Sequence, residues 1–172
     1  MTATTGTDLR LPRLTTAPDF APESRVWVYT ANRPLTEPEA QFIEDALRDF
    51  TKQWTAHNQA LKAAAEVFQN QFILLMVDET QAGASGCSID KSIHILEALG
   101  HQLGVDLFER MRFAWVENDA LQYADRTGLA ARVADSSIQP ETLMVNTLVQ
   151  TKSDLQEKWL VPFAQSWHRR IV

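Results

Sequence analysis

The chain has 172 residues, 45% of them hydrophobic and 22% charged, a balance that excludes a disordered or low-complexity protein and points to one globular domain. Sixteen basic against 22 acidic residues leave a net charge of −6, which argues against non-specific binding to nucleic acid. The longest apolar run, Phe72–Val77, is too short to cross a bilayer, and one cysteine, Cys87, leaves no internal disulfide.

Residues 1–24 are rich in Thr and Pro and show no sustained periodicity, and the sparse Leu9, Leu11 and Leu14 make no signal-peptide block. They read as a flexible or loosely docked N-terminal arm, with 25–172 as a single α+β domain of a cytoplasmic protein. Val26, Trp27, Val28 and Tyr29 are strand formers, and Asn32-Arg33-Pro34 closes the run. Thr36 and Glu39 match a capping box, with Pro38 in the first turn. Ile43, Ala46, Leu47, Phe50 and Trp54 follow at helical spacing, predicting a helix over 36–56. Alternation over Leu61–Gln69 predicts a strand, Asn70-Gln71 a turn, and Phe72–Val77 a buried central strand.

A loop of small residues from Gln81 to Cys87 then opens a second helix over 88–103. Its apolar stripe is Ile89, Ile93, Leu96, Leu99 and Leu103, and Gly104 closes it. Met111, Phe113 and Trp115 alternate in a further strand, and Asn118-Asp119 turns into a short one near Leu121–Tyr123. Beyond Gly128 the pattern predicts a short helix, a strand near 143–149, a helical turn opened by Ser153 and Gln156, and a tail pinned through Trp159 and Trp167. The order β-α-β-β-α-β is that of a ferredoxin-like or split-βαβ core, carrying here a C-terminal extension of short strands and helical turns. Both helices fall on one face of such a sheet. The other face, with Phe68 and Val116, is expected to stay open for self-association.

None of the six glycines precedes a Gly-Lys-Ser/Thr sequence, and no G-x-G-x-x-G is present. A P-loop ATPase and a Rossmann nucleotide site are therefore excluded, and no cofactor is implied. The most informative stretch runs from Val77 to Asp90. It places Cys87 at a helix N-terminus, where free N–H groups and the macrodipole favour a thiolate. Nearby Asp78, Glu79 and Asp90 push the thiol the other way.

Two readings of this stretch stand side by side. In one, Cys87 is a nucleophile or redox thiol, His57 or His168 a base and Asp78 the third member of the set. Ser85, Gly86, Ser88, Glu79 and Asp90 would then line a site for a small anionic ligand. In the other, Cys87 is a buried structural residue at a tight turn, and Ser85 or Ser88 merely caps the helix. Asp90, His94, Glu97 and His101 share one stripe of the same helix, but a single helix cannot supply a tetrahedral set. The stripe reads as solvated or as an interface, and no metal site is assigned.

Several phrases carry a resemblance: Val28-Tyr29 with Asn32-Arg33-Pro34-Leu35, then Gln53-Trp54-Thr55-Ala56-His57, then Val77-Asp78-Glu79 with Ala84-Ser85-Gly86-Cys87-Ser88-Ile89-Asp90. Asp106-Leu107-Phe108 with Arg110-Met111, and Ser166-Trp167-His168-Arg169, complete it. Through them the chain resembles a small, uncharacterised bacterial family whose members are often labelled "ABC transporter ATPase". The resemblance implies family membership and brings no activity or catalytic residue with it. The ATPase label finds no support in these glycines.

Two functions stay open at this point. One is a small cytoplasmic enzyme or ligand-binding protein with its site around Cys87. The other is a non-catalytic, homo-oligomeric interaction module. Neither involves nucleic acid or a membrane, and the convergence of Cys87, His57 and Asp78 in an open pocket would separate them.

Overall fold

The structure, a computed structural model, describes residues 11–172; the first ten residues of the expected arm lie outside the described residues. Strand β1 (Arg25–Thr30) leads to helix α1 (Glu37–Gln53). The capping box forms as expected: the Thr36 hydroxyl accepts the Glu39 N–H (3.2 Å), and the Glu39 carboxylate accepts the Thr36 N–H (2.9 Å). The helix stops short of residue 56. Instead, β2 (Thr55–Ala56) pairs with β3 (Gln59–Ala60) through His57 and Asn58, which take φ of 50° and 63°. Two consecutive left-handed residues make the tight turn that a right-twisted hairpin needs.

Next come β4 (Lys62–Phe68), β5 (Phe72–Asp78) and helix α2 (Gly86–Leu103), which ends at Gly104 with φ of 64°. Strands β6 (Phe113–Glu117) and β7 (Ala120–Ala124) flank the Asn118-Asp119 turn that the sequence predicts. Helix α3 (Arg126–Ala134), strand β8 (Leu143–Val145), helix α4 (Lys152–Lys158), strand β9 (Leu160–Pro162) and two 3-10 turns complete the chain. Helix α4 starts earlier than Ser153 suggests, because the Thr151 hydroxyl accepts the Asp154 N–H (3.0 Å).

The architecture is mixed α+β in four layers. Strands β1, β5 and β4 form one antiparallel sheet in that order, so β1 and β4 run parallel on either side of β5, with α1 in the crossover. A full ferredoxin-like order needs the next strand beside β1. Here that strand, β6, belongs to a second sheet of order β7-β6-β8-β9, so the expected four-stranded core is not completed. The cause is in the apolar residues of β6: Phe113 and Trp115 pack with Leu129, Ile138 and Met144 in a cluster of their own.

The sheet face expected to be open is covered. Phe72, Leu74 and Met76 pack there with Phe68, Ala114, Val145, Leu155 and Trp159, and Phe68 meets Trp159 edge-on at 5.9 Å. On the opposite face Ile73 and Leu75 pack against Ile43 and Leu47 of α1 and Leu96 and Leu99 of α2. Each such fully buried side chain contributes about 1.5–3 kcal/mol. Among the described residues no helix is long and apolar enough to cross a membrane.

Residues 11–24 are docked as a strap over the covered face. Leu14 is buried in the core cluster. Glu66 accepts the N–H groups of Arg13 and Leu14, both at 3.0 Å. The buried Lys152 ammonium donates to the carbonyls of Ala17 (2.7 Å) and Phe20 (2.8 Å). Asp78, only 3% exposed, accepts the Ala21 N–H (3.1 Å) and lies 3.6 Å from the Lys62 ammonium.

Hydrogen bonds from Thr80 and Ala21, helped by Lys62, hold the Asp78 carboxyl near pH 2 against an ordinary value of 3.8. A depressed carboxyl stabilises the fold fully above the ordinary value and loses that contribution as pH falls toward its folded value. The urea midpoint should therefore fall between about pH 4 and pH 2, and Asp78→Asn should flatten that part of the profile. An unchanged slope in the variant would show that Asp78 does not anchor the strap.

Candidate functional site

Two segments run beside the outer edge of β1 without becoming strands. At one end Asn32 N–H donates to the Asp106 carbonyl (2.8 Å) and Glu109 N–H to the Thr30 carbonyl (3.0 Å). At the other, Val26 N–H donates to the Gln150 carbonyl (2.9 Å), and Arg25 bridges Thr151. Between these two closures lies a cleft of about 320 Å³, lined by Val28, Tyr29, Thr30, Phe108, Glu109, Arg110, Thr147, Leu148 and Trp167. Phe108 stands edge-on to Tyr29 at 5.5 Å. Leu148, 62% exposed, forms part of the opposite wall.

Trp167 also borders a second cleft, of about 380 Å³, on the far side of β8 and β9. Its lining includes Asn146, Lys158, Leu160, Gln165 and His168. The indole ring stacks on His168 with centroids 3.9 Å apart, packs on Phe113 at 5.9 Å, and donates its N–H to the Asn146 side-chain oxygen (3.3 Å). These contacts fix the ring while leaving it half-buried between the two clefts. A rigid aromatic wall with neighbouring amide and cationic groups is the usual make-up of a ligand pocket.

His168 is 1% exposed, and its Nδ1 has no hydrogen-bond partner. Burial lowers its pKa to about 4, so the ring is neutral at pH 7 and the hydrogen-bonding capacity of Nδ1 is unspent.

The residues singled out in the sequence are placed as follows. Helix α2 begins at Gly86, so Cys87 is its second residue, and its thiol is exposed. His57 is exposed at the tip of the β2–β3 hairpin. Asp78 is buried and engaged with Ala21, Thr80 and Lys62. No hydrogen bond or ion pair joins these three side chains to one another.

Ser85 and Ser88 spend their polar groups on a reciprocal cap: Ser85 N–H donates to the Ser88 hydroxyl (2.7 Å), and Ser88 N–H to the Ser85 hydroxyl (3.2 Å). Glu79 accepts the Ala84 N–H (2.9 Å) inside the loop. Gly86 and Asp90 are exposed on the first turn of α2. Cys87 lines neither of the two clefts bordered by Trp167. Asp90, His94, Glu97 and His101 lie exposed along α2, and among the described residues no group of three or more His, Cys, Asp and Glu is placed to hold a metal ion.

Of the cleft residues, Trp167 and His168 carry a sequence signal as aromatic rings next to Arg169 and Arg170. Tyr29, Phe108 and Arg110 on one cleft and Asn146 on the other come from three separate segments, and no local pattern places them at a site. No family model, curated protein or solved structure matches the chain.

A neutral, buried histidine has a folded pKa below its ordinary 6.5, so its contribution to stability is complete above that value and is lost as pH falls toward about 4. Proton NMR should give His168 a titration midpoint near 4. A His168 midpoint at 6.5 would mean that the ring is open to water and the stack with Trp167 is not maintained.

Proposed function

We propose that the chain is a non-catalytic binding protein whose site is the pair of clefts around Trp167, rather than a thiol enzyme centred on Cys87. The observation that carries this reading is the placement of Trp167: one half-buried ring, held by His168, Phe113 and Asn146, walls two clefts of ligand size. The thiol reading has support from the exposure of Cys87 at the start of α2. It lacks a base within hydrogen-bond reach, which nucleophilic activation requires. The anion-binding groups assigned to its loop are spent on capping.

The split-βαβ order of β1, β5 and β4 supports reading the first sheet as a ferredoxin-like layer whose fourth-strand position has been given up. The lone cysteine supports a cytoplasmic location. Membership of the bacterial family that the sequence resembles belongs to the same reading.

The test is a screen of small amides, carboxylates and aromatic acids against ¹⁵N-labelled protein. Binding should move the Trp167 indole and the Asn146 and Thr147 amides, and should survive Cys87→Ser with stability changed by less than about 0.5 kcal/mol. Shifts confined to Ser85–Ser88, or binding abolished by alkylating Cys87, would return the site to the thiol. No shift at Trp167 at millimolar ligand would remove the reading.

A further inference from the structure

In an antiparallel ladder a residue directs both its N–H and its C=O to the same side, and successive residues alternate. Ala31 N–H donates to the Gln71 carbonyl on the β5 side, so the odd residues of β1 face β5. The even residues face outward, as the Val26–Gln150, Thr30–Glu109 and Asn32–Asp106 bonds confirm. Four outward groups remain: the carbonyl of Val26, the N–H and carbonyl of Val28, and the N–H of Thr30. None of them has a partner among the described residues. Thr30 is only 6% exposed, and a buried N–H left unmade is costly. Those of Val28 and Thr30 belong to the lining of the cleft of about 320 Å³ beside β1.

We propose that this slot takes the end of an extended peptide, which adds to β1 as a short fourth strand and presents its terminal carboxylate to Arg110. The inference rests on the Trp167 reading and specifies its ligand.

Three features select this occupant. Main-chain donors and acceptors spaced as in a strand edge match another extended main chain. The stretch from Val26 to Thr30 spans about 13 Å at 3.3 Å per residue, and it is closed by Gln150 at one end and Glu109 at the other. A chain end of two to four residues fits, and a strand running through does not. Finally, Arg110 is exposed and forms no ion pair among the described residues. It follows Glu109, so it sits at the Thr30 end of the slot. A peptide parallel to β1 brings its last residue there, and a guanidinium binds a carboxylate through paired hydrogen bonds. Phe108, Leu148 and Trp167 then offer an apolar wall to a side chain of the guest.

The experiment uses ¹⁵N-labelled protein and three pools of N-acetyl tetrapeptides: free carboxylates, C-terminal amides, and carboxylates with an N-methylated backbone. The free-carboxylate pool should shift the Val28 and Thr30 amides together with the Trp167 indole, and should slow exchange of both amides. The amide pool should bind about tenfold more weakly, and Arg110→Met should remove that difference without changing the melting temperature. N-methylation should abolish the Val28 and Thr30 shifts.

A Trp167 shift with Val28 and Thr30 unmoved would overturn strand pairing and leave the binding reading intact. No shift at any of the three would overturn both. Equal binding of carboxylate and amide pools would overturn the role of Arg110. Val28 and Thr30 shifts that follow protein concentration without peptide would assign the slot to a second copy of this chain and overturn the peptide.

Discussion

Strand β5 is buried along its whole length, from Phe72 to Asp78, and the rest of the molecule follows from that constraint. A strand wet on neither face needs a layer on each. On one side α1 and α2 supply it, with Ile43, Leu47 and Leu96 against Ile73 and Leu75. On the other, Phe72, Leu74 and Met76 are too large a surface for one more helix of the size of α4. They are met by the inner face of the second sheet, by Leu155 and Trp159, and by Leu14 of the strap. In the second sheet Phe113, Ala114 and Trp115 of β6 and Met144 and Val145 of β8 are buried, and α3 with the C-terminal turns packs on it through Leu129, Trp167 and Ile171.

The polar residues that look most like chemistry are used to hold these layers in register. Glu66 and Asp78 take strap N–H groups, and Lys152 takes two strap carbonyls. Arg33 reaches both Glu39 oxygens at 2.9 and 2.7 Å and the Leu103 carbonyl at 3.1 Å, tying the start of α1 to the end of α2. The buried charges of Glu66, Asp78 and Lys152 are tolerated because each meets several complementary groups, so their desolvation is repaid locally.

Legibility divides along the same line. Thr36 with Glu39, Gly104 after α2, and Asn118-Asp119 between β6 and β7 announce themselves because their work is done within a few residues. The partner of β6 does not. Trp115 pairs with Met144 in a single register position, and an apolar alternation reads alike in whichever sheet it lands. The sequence leaves residues 11–24 as a flexible or loosely docked arm, without the place where they dock, for a related reason. The arm's strongest contacts, from Glu66 and Lys152, are to backbone groups, and backbone groups leave no trace in composition. The stretch around Cys87 supports two readings in sequence, since Ser85 and Ser88 are equally good as ligands for an anion and as a cap. Of the candidate site, the Trp167–His168 pair was visible as two adjacent rings. The open edge of β1 could not be, because Val28 contributes only its main chain.

The open edge is a product of the strap. Lys152 is pinned to the Ala17 and Phe20 carbonyls, and Lys152 N–H donates to the Ser24 carbonyl (2.8 Å). Together these draw residues 150–152 against the beginning of β1. At the other end, the left-handed Gly104 turns the chain so that Asp106 meets both the backbone and the side-chain oxygen of Asn32, the latter at 3.1 Å. Each segment is fixed where it touches β1, and each connects to the second sheet: one toward β6, the other from β8 by way of Asn146. A chain held at both ends of a strand edge and claimed elsewhere in between cannot also pair with the middle. The vacancy beside Val28 is thus the geometric remainder of completing the two cores. Its length is set by the distance between the Lys152 pin and the Asn32 clamp.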